Sequence, residues 1–192
     1  MIRLNQAELT IRSATKADAE QLTSWWNDGT VMEHAGFPNG LGTTTEATRL
    51  LIAENLTSRG QRCILEVNQI PIGEMSYMVE GQTAEIGIKI CDPIWQNRGL
   101  GPRYLTMLIG YLFGAESKDY ALPVDKIALD TNANNLRARH VYEKLGFRRD
   151  ALSDLRWQDQ LGNWQIGVAY ELKRSDWGNF SKNCSDSMSH DL

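Results

Sequence analysis

The sequence is poor in cysteine, and the few it has form no pattern. Cys63, Cys91 and Cys184 are odd in number and far apart, and no histidine stands at metal-ligand spacing from them, so neither a disulfide framework nor a metal site is indicated. A reducing, cytoplasmic setting is expected. Long apolar runs are also missing. The opening residues MIRLNQAELTIRSATKADAE contain no continuous apolar segment of signal-peptide length, and nothing downstream approaches the roughly 20 apolar residues of a membrane span. Neither export nor embedding in a membrane is expected. There is no excess of positive charge: 20 Lys and Arg against 24 Asp and Glu leave a formal net charge of −4, which argues against nucleic acid or an anionic membrane as the main partner. No internal repeat is found.

What is present is a globular composition. Hydrophobic residues make up 42% of 192, with 16 glycines and six tryptophans, enough for one domain that buries roughly 70% of the surface its unfolded chain exposes. That domain is expected over residues 1–177, with the polar, aperiodic 178–192 as a flexible tail. ELTIRSA alternates like a first strand, and TKAD opens a helix reaching about Trp26, with Asp18 in the capping-box position. The irregular NDGTVMEHAGFPNGLG follows, a loop long enough to imply function. The Thr43 to Thr45 cluster then caps a second helix. RCILEV, PIGEMSYMVE and TAEIGIKIC, separated by NQ and GQ, predict an antiparallel meander. A helix from about Gly101, the short strand DKIALD, the amphipathic NNLRARHVYEKLGF ending at Gly146, and a hairpin from RRDALSDLRW to WQIGVAYELK complete the chain. In NNLRARHVYEKLGF, Leu136, Val141 and Leu145 share the apolar stripe. The order β-α-α-β-β-β-α-β-α-β-β predicts an α+β fold with a mostly antiparallel sheet.

Between the meander and the helix that follows lies QNRGLG, Gln96 to Gly101. A loop entering a helix presents successive N–H groups where the helix dipole is positive, and glycines at 99 and 101 remove the Cβ atoms that would keep a diphosphate away. Arg98 and Arg103 add positive charge. Neither common nucleotide motif fits, since a P-loop ends in Gly-Lys-Ser/Thr and the dinucleotide fingerprint needs a third glycine and a parallel βαβ unit. Read alone, a Gly-x-Gly after a strand is a weak signal and is more often a surface turn than a phosphate site.

IKICDPIWQNRGLG resembles the acetyl-CoA-binding segment of the GNAT superfamily of N-acetyltransferases, whose signature is Gln/Arg-x-x-Gly-x-Gly/Ala between a bulged strand and a helix. NNLRARHVYEKLGF resembles the same family's second block, Asn-x-x-Ala-x-x-x-Tyr-Glu-Lys-x-Gly-Phe, at the expected distance downstream. The resemblance implies a mixed, mostly antiparallel sheet of six to seven strands, splayed in the middle and flanked by about four helices. It implies acetyl-CoA as cofactor. Its pyrophosphate would rest on the N–H groups of Gln96, Asn97, Arg98, Gly99, Leu100 and Gly101, its pantetheine arm on the backbone of Ile90 and Cys91, with Asn135 on the far side.

Amine acetylation needs a neutral nucleophile, stabilisation of charge on the acyl oxygen and a donor for the departing thiolate. Tyr142 matches the family's tyrosine beside the CoA sulfur. Two carboxylates compete for the role of base. Glu85 stands eleven residues before Gln96, as in some histone-acetylating members, whereas Asp130 matches the aspartate of the TDP…NLRA…CYEKAGF segment of aminoglycoside 6′-N-acetyltransferases, from which this sequence departs at Thr131 and Asn132. Trp25, Trp26, Glu33 and His34 flank the long loop, and Trp157 and Trp164 lie in the last hairpin, where the family binds its acceptor. An acetylated Cys91 is disfavoured, as no histidine adjoins it. The expected partner is a small amine or a protein N-terminus, attacked directly in a ternary complex by a monomer or homodimer; WWNDGTV resembles the ribosomal-protein N-terminal and aminoglycoside branch. The competing reading is a CoA-binding sensor or scaffold without turnover.

Overall fold

The computed structural model describes residues 1–54, 59–114, 123–150 and 155–177; the tail expected at 178–192 lies outside them. The strands are β1 (Arg3–Gln6), β2 (Leu9–Ser13), β3 (Gly60–Val67), β4 (Ile70–Glu80), β5 (Thr83–Ile90), β6 (Lys126–Asn132), β7 (Arg148–Arg149), β8 (Leu155–Gln158) and β9 (Trp164–Lys173). They form one sheet in the order β1-β2-β3-β4-β5-β6-β9-β7, with β8 paired to β9. The helices are α1 (Ala19–Trp26), the short α2 (Gly29–Met32), α3 (Thr45–Glu54), α4 (Leu100–Phe113) and α5 (Leu136–Lys144). The sheet has nine strands where six to seven were expected. One addition is β1, folded back on β2 through a turn in which Ala7 has φ 51°. The other arises because RRDALSDLRW contributes two separate strands, β7 and β8, rather than one.

The meander forms as its turns dictate. Asn68 and Gln69, at φ 49° and 69°, give the β3–β4 hairpin the two left-handed residues that match strand twist. Every neighbouring pair is antiparallel except β5 with β6, which run parallel and pair only at Thr83–Glu85 against Lys126–Ala128. Beyond that point β5 stays with β4 as far as Ile90, and β6 stays with β9 as far as Asn132. The two strands diverge and a wedge opens between them.

α4 covers one face of the sheet. Its Leu100, Tyr104, Leu105, Leu108, Ile109 and Leu112 are buried at helical spacing, and each such aliphatic side chain contributes roughly 1.5–3 kcal/mol. α5 sits beside it with Tyr142 and Leu145 buried, while Leu136, expected on the same stripe, is 68% exposed at the first helical position. α1 and α3 cover the opposite face through Leu22, Trp25, Trp26 and Ile52. Thr44 caps α3, its Oγ1 accepting the Ala47 N–H at 3.2 Å. No helix among the described residues is long and apolar enough to cross a membrane.

Candidate active site

The wedge opens into a cleft of about 810 Å³, bordered by β5, β6, α5 and the start of α4. Its upper wall is the glycine loop. Gly99, at φ 69°, turns the chain into α4, and Asn97 is also left-handed at φ 60°. The N–H groups of Asn97 through Gly101 have no acceptor among the described residues. A Cβ built on Gly99 or Gly101 would meet nothing within 4 Å. Five unspent donors, a helix N-terminus and open space in front of both glycines suit a diphosphate.

The rest of the loop departs from expectation in particular ways. The Gln96 N–H is not available, because it donates to the Pro93 carbonyl at 3.2 Å, and its side-chain Nε2 braces the loop by donating to the Ile90 carbonyl at 2.9 Å. Cys91 cannot offer its N–H to a pantetheine arm either. That group and the N–H of Asp92 both donate to the Ile72 carbonyl, a two-against-one arrangement that ends the strand. The Cys91 side chain is buried in the core under α1, where burial pushes its thiol well above the usual range. Arg98 lies over the Trp95 ring, 5.2 Å from its centre, and Arg103 pairs with Glu8 at 2.6 Å. The cation beside the loop that does border the cleft is Arg137, whose Nη1 donates to Asn97 Oδ1 at 3.1 Å.

On the opposite wall Asn135 caps α5, its Oδ1 accepting the Ala138 N–H at 3.1 Å. Tyr142 borders the cleft with its ring buried against Tyr170 and Phe147, at 5.7 and 6.0 Å between centres. Its hydroxyl makes no hydrogen bond to another described residue. Burial, aided by the charge of Asp130 and by Tyr170, pushes this phenol up to about 12, so it holds its proton throughout the neutral range.

A second cavity of about 520 Å³ adjoins the first across Arg62, Ser76, Gly87 and Asp130, which border both. Asp130 therefore stands at the junction. Glu85, at the last paired position of β5 opposite Ala128, borders only the second cavity. With Asp150 and Glu171 these make four carboxylates, against Arg62 and Lys126.

Of the residues expected to bind the acceptor, Glu33, His34 and Trp157 border the cleft. The indole of Trp157 lies against Gly36, and Gln160 beyond it donates its N–H to the Gly36 carbonyl at 2.8 Å, tying the last hairpin to the long loop. Trp164 is 71% exposed and Trp25 and Trp26 are core residues; none of the three borders the cleft. The physical reason is the face on which they fall: Trp25 and Trp26 close the layer between α1 and the sheet.

Trp26 reaches the site indirectly. Its Nε1 donates at 3.0 Å to Glu74 Oε1, which Lys89 Nζ also approaches at 3.2 Å, while Arg62 Nη1 pairs with Oε2 and its guanidinium stacks 4.7 Å from the Trp26 ring centre. Burial raises the Glu74 carboxyl, but the charges of Arg62 and Lys89 and the indole bond outweigh it and hold the group below its ordinary value. None of the trio Arg62, Glu74 and Lys89 was expected from the sequence. Glu74→Gln should destabilise the chain by about 1–3 kcal/mol in urea unfolding, because it removes the shared counter-charge of two partly exposed cations. The wild-type stabilisation is present above the carboxyl's unfolded value near 4.5 and is lost as pH falls below it through the depressed folded value. Unfolding midpoints that match across the two proteins at neutral pH would contradict this account.

Known proteins share this fold. An aminoglycoside N(6′)-acetyltransferase type 1 of Klebsiella pneumoniae is 27% identical over 155 residues, 73% of this chain and 74% of that protein. The structure of a ribosomal L7/L12 alpha-N-protein acetyltransferase in complex with coenzyme A superposes with a TM-score of 0.76 at 14% identity, covering 90% of this chain and 98% of that one. A spermidine N-acetyltransferase from Vibrio cholerae, in complex with CoA and spermine, gives 0.74 at 21% identity, over 90% and 99%. The acetyltransferase (GNAT) domain family matches residues 8–148. That match spans well over half of the sequence, and the chain belongs to the GNAT acetyltransferase family.

Proposed function

We propose that the chain transfers the acetyl group of acetyl-CoA to a primary amine of a small polycationic molecule by direct attack within a ternary complex. The observation that carries this reading is the wedge: a strand edge freed beyond Glu85, leading to a loop with five N–H donors unspent among the described residues. Free strand edge suits a pantetheine arm and free N–H groups suit its diphosphate. Asn97, Gly99, Leu100, Gly101 and Arg137 would hold the phosphates, and Ile90 and Asn135 the arm. When bound, acetyl-CoA supplies the activated acetyl group.

The remaining work falls to side chains at the junction of the cavities. Asp130 orients the amine and takes its proton. Tyr142 donates a hydrogen bond to the leaving sulfur. Complete transfer of that proton is disfavoured, because burial pushes the phenol up to about 12, above the range of an ordinary thiol. The hydroxyl thus stabilises the thiolate as a donor rather than as a full acid. The carboxylates of the second cavity favour a multiply charged acceptor. Both the K. pneumoniae and V. cholerae relatives are named for polycationic amines.

Thiol release from acetyl-CoA with spermine or an aminoglycoside tests the reading. Amine-dependent release supports it; CoA binding without any amine-dependent release overturns it. Tyr142→Phe keeps the ring packed on Phe147 and Tyr170 and should lower kcat about 10- to 100-fold, with acetyl-CoA affinity within about twofold. An unchanged kcat would remove the hydroxyl from its role.

A further inference from the structure

We infer that Arg62 and Lys89, held in place by Glu74, recognise an oxygen of the acceptor, so that the enzyme prefers an amine with a hydroxyl near the reacting nitrogen over a plain polyamine. This rests on the acetyltransferase reading above and adds a selection rule to it. All three residues border the cleft, and Arg62 also borders the acidic cavity. The pairing of β3, β4 and β5 places them on one face of the sheet: Arg62 lies opposite Ser76, which lies opposite Gly87, and Glu74 lies opposite Lys89.

The chemistry of the trio is unbalanced. One carboxylate receives two cations and an indole, so donors far outnumber acceptors. Lys89 Nζ has no other partner among the described residues, and Arg62 Nε is buried with no partner among them, a costly state for a donor. Stability alone would be served by a single pair. Glu74 and the Trp26 ring also fix the Arg62 guanidinium, so the donors are preorganised.

Across the wedge, on β6, stands Asp130, which is in no ion pair with a described residue, whereas Glu85 lies on β5 with Lys89, four residues before it on the same face, and borders only the acidic cavity. Donors on one wall and the Asp130 carboxylate on the other match a molecule that carries an ammonium and an oxygen side by side. A plain polyamine offers the cationic wall only methylene or another ammonium, which two cations against one carboxylate repel.

A matched pair of probes separates the two cases: propane diamine, and the same diamine bearing a hydroxyl on its central carbon. Calorimetry on the CoA-loaded protein reads the corner, and thiol release, corrected for the fraction of neutral amine, reads turnover. The hydroxylated diamine should bind about tenfold more tightly. Lys89→Met should bring that ratio to within about twofold of unity, and Lys89→Arg, which keeps the cation, should retain the preference. Equal binding of both diamines to the wild type, binding of neither, or a parallel loss for both in Lys89→Met overturns the inference. A clear preference in calorimetry without amine-dependent thiol release would keep the corner and overturn the acetyltransferase reading instead.

Discussion

Gly101→Glu is expected to abolish acetyl-CoA binding, weakening it by more than about a hundredfold, while the protein melts at an unchanged or slightly higher temperature. The two effects separate because Gly101 meets different things on its two sides. Toward the protein there is nothing: a Cβ there has no neighbour within 4 Å, and the residue lies in the first turn of α4 without a left-handed backbone. An acidic side chain in the first turn of a helix is favoured by the dipole, by about 0.3–1 kcal/mol. Toward the cleft, the same carboxylate enters the space in front of the free N–H groups. It competes for the donors a diphosphate would use and repels it. Gly101→Ala is the control for bulk alone and should cost less than about tenfold, since a methyl crowds the cradle without charging it. Gly99 would be a poorer choice, because its φ of 69° makes any substitution strain the turn itself. Calorimetry with CoA and a thermal melt decide the matter. A dissociation constant for Gly101→Glu within a few-fold of wild type would move the diphosphate away from this loop.

The contrast between this loop and the trio around Glu74 explains which parts of the site were readable from sequence. QNRGLG is local: its donors, its glycines and its helix are consecutive, so their relation needs no knowledge of the rest of the fold. The Glu74–Lys89 pairing was within reach as well, since the two-residue turn at GQ sets Glu80 opposite Thr83 and the register runs unbroken from there to Glu74 opposite Lys89. Arg62 was not. Counting back from the NQ turn pairs Val67 with Ile70 and Glu66 with Pro71, a register that would put Arg62 opposite Met75 and on the other face from Glu74. A bulge between Leu65 and Glu66 skips Ile72 and shifts the pairing by one, which swings Arg62 to the face that carries Glu74. A single irregularity of that kind leaves no composition signal. Trp25 and Trp26 failed for a related reason: adjacent tryptophans at the end of α1 are compatible with core or pocket, and only the packing of α1 and α3 on the sheet chooses core.

Asp130→Asn should reduce kcat by about a hundred- to ten-thousandfold, with acetyl-CoA affinity unchanged, whereas Glu85→Gln should reduce it less than about tenfold. Both carboxylates lie on diverging strands, and what separates them is where the divergence begins. Glu85 occupies the last position at which β5 still pairs with β6, so it borders the acidic cavity alone. Asp130 comes two residues after the last paired position of β6, where the wedge is open, and it borders both cavities. Its charge also reaches the Tyr142 hydroxyl, helping to raise that phenol to about 12. Carboxylate and phenol therefore face the same space. A carboxylate is a weak base toward a free ammonium, but nitrogen becomes strongly acidic once it is bonded to an acyl carbon, and a carboxylate in place suffices to remove that proton. Asparagine keeps the shape and loses this capacity, so the loss should fall on kcat. If Asp130 served only to attract the cationic acceptor, the Asn variant would show a raised KM for the amine at nearly unchanged kcat, and additional salt would weaken the wild type toward the same value. A kcat loss greater for Glu85→Gln than for Asp130→Asn would transfer the role of base to Glu85 and place the reacting amine in the acidic cavity, beyond the reach of Tyr142.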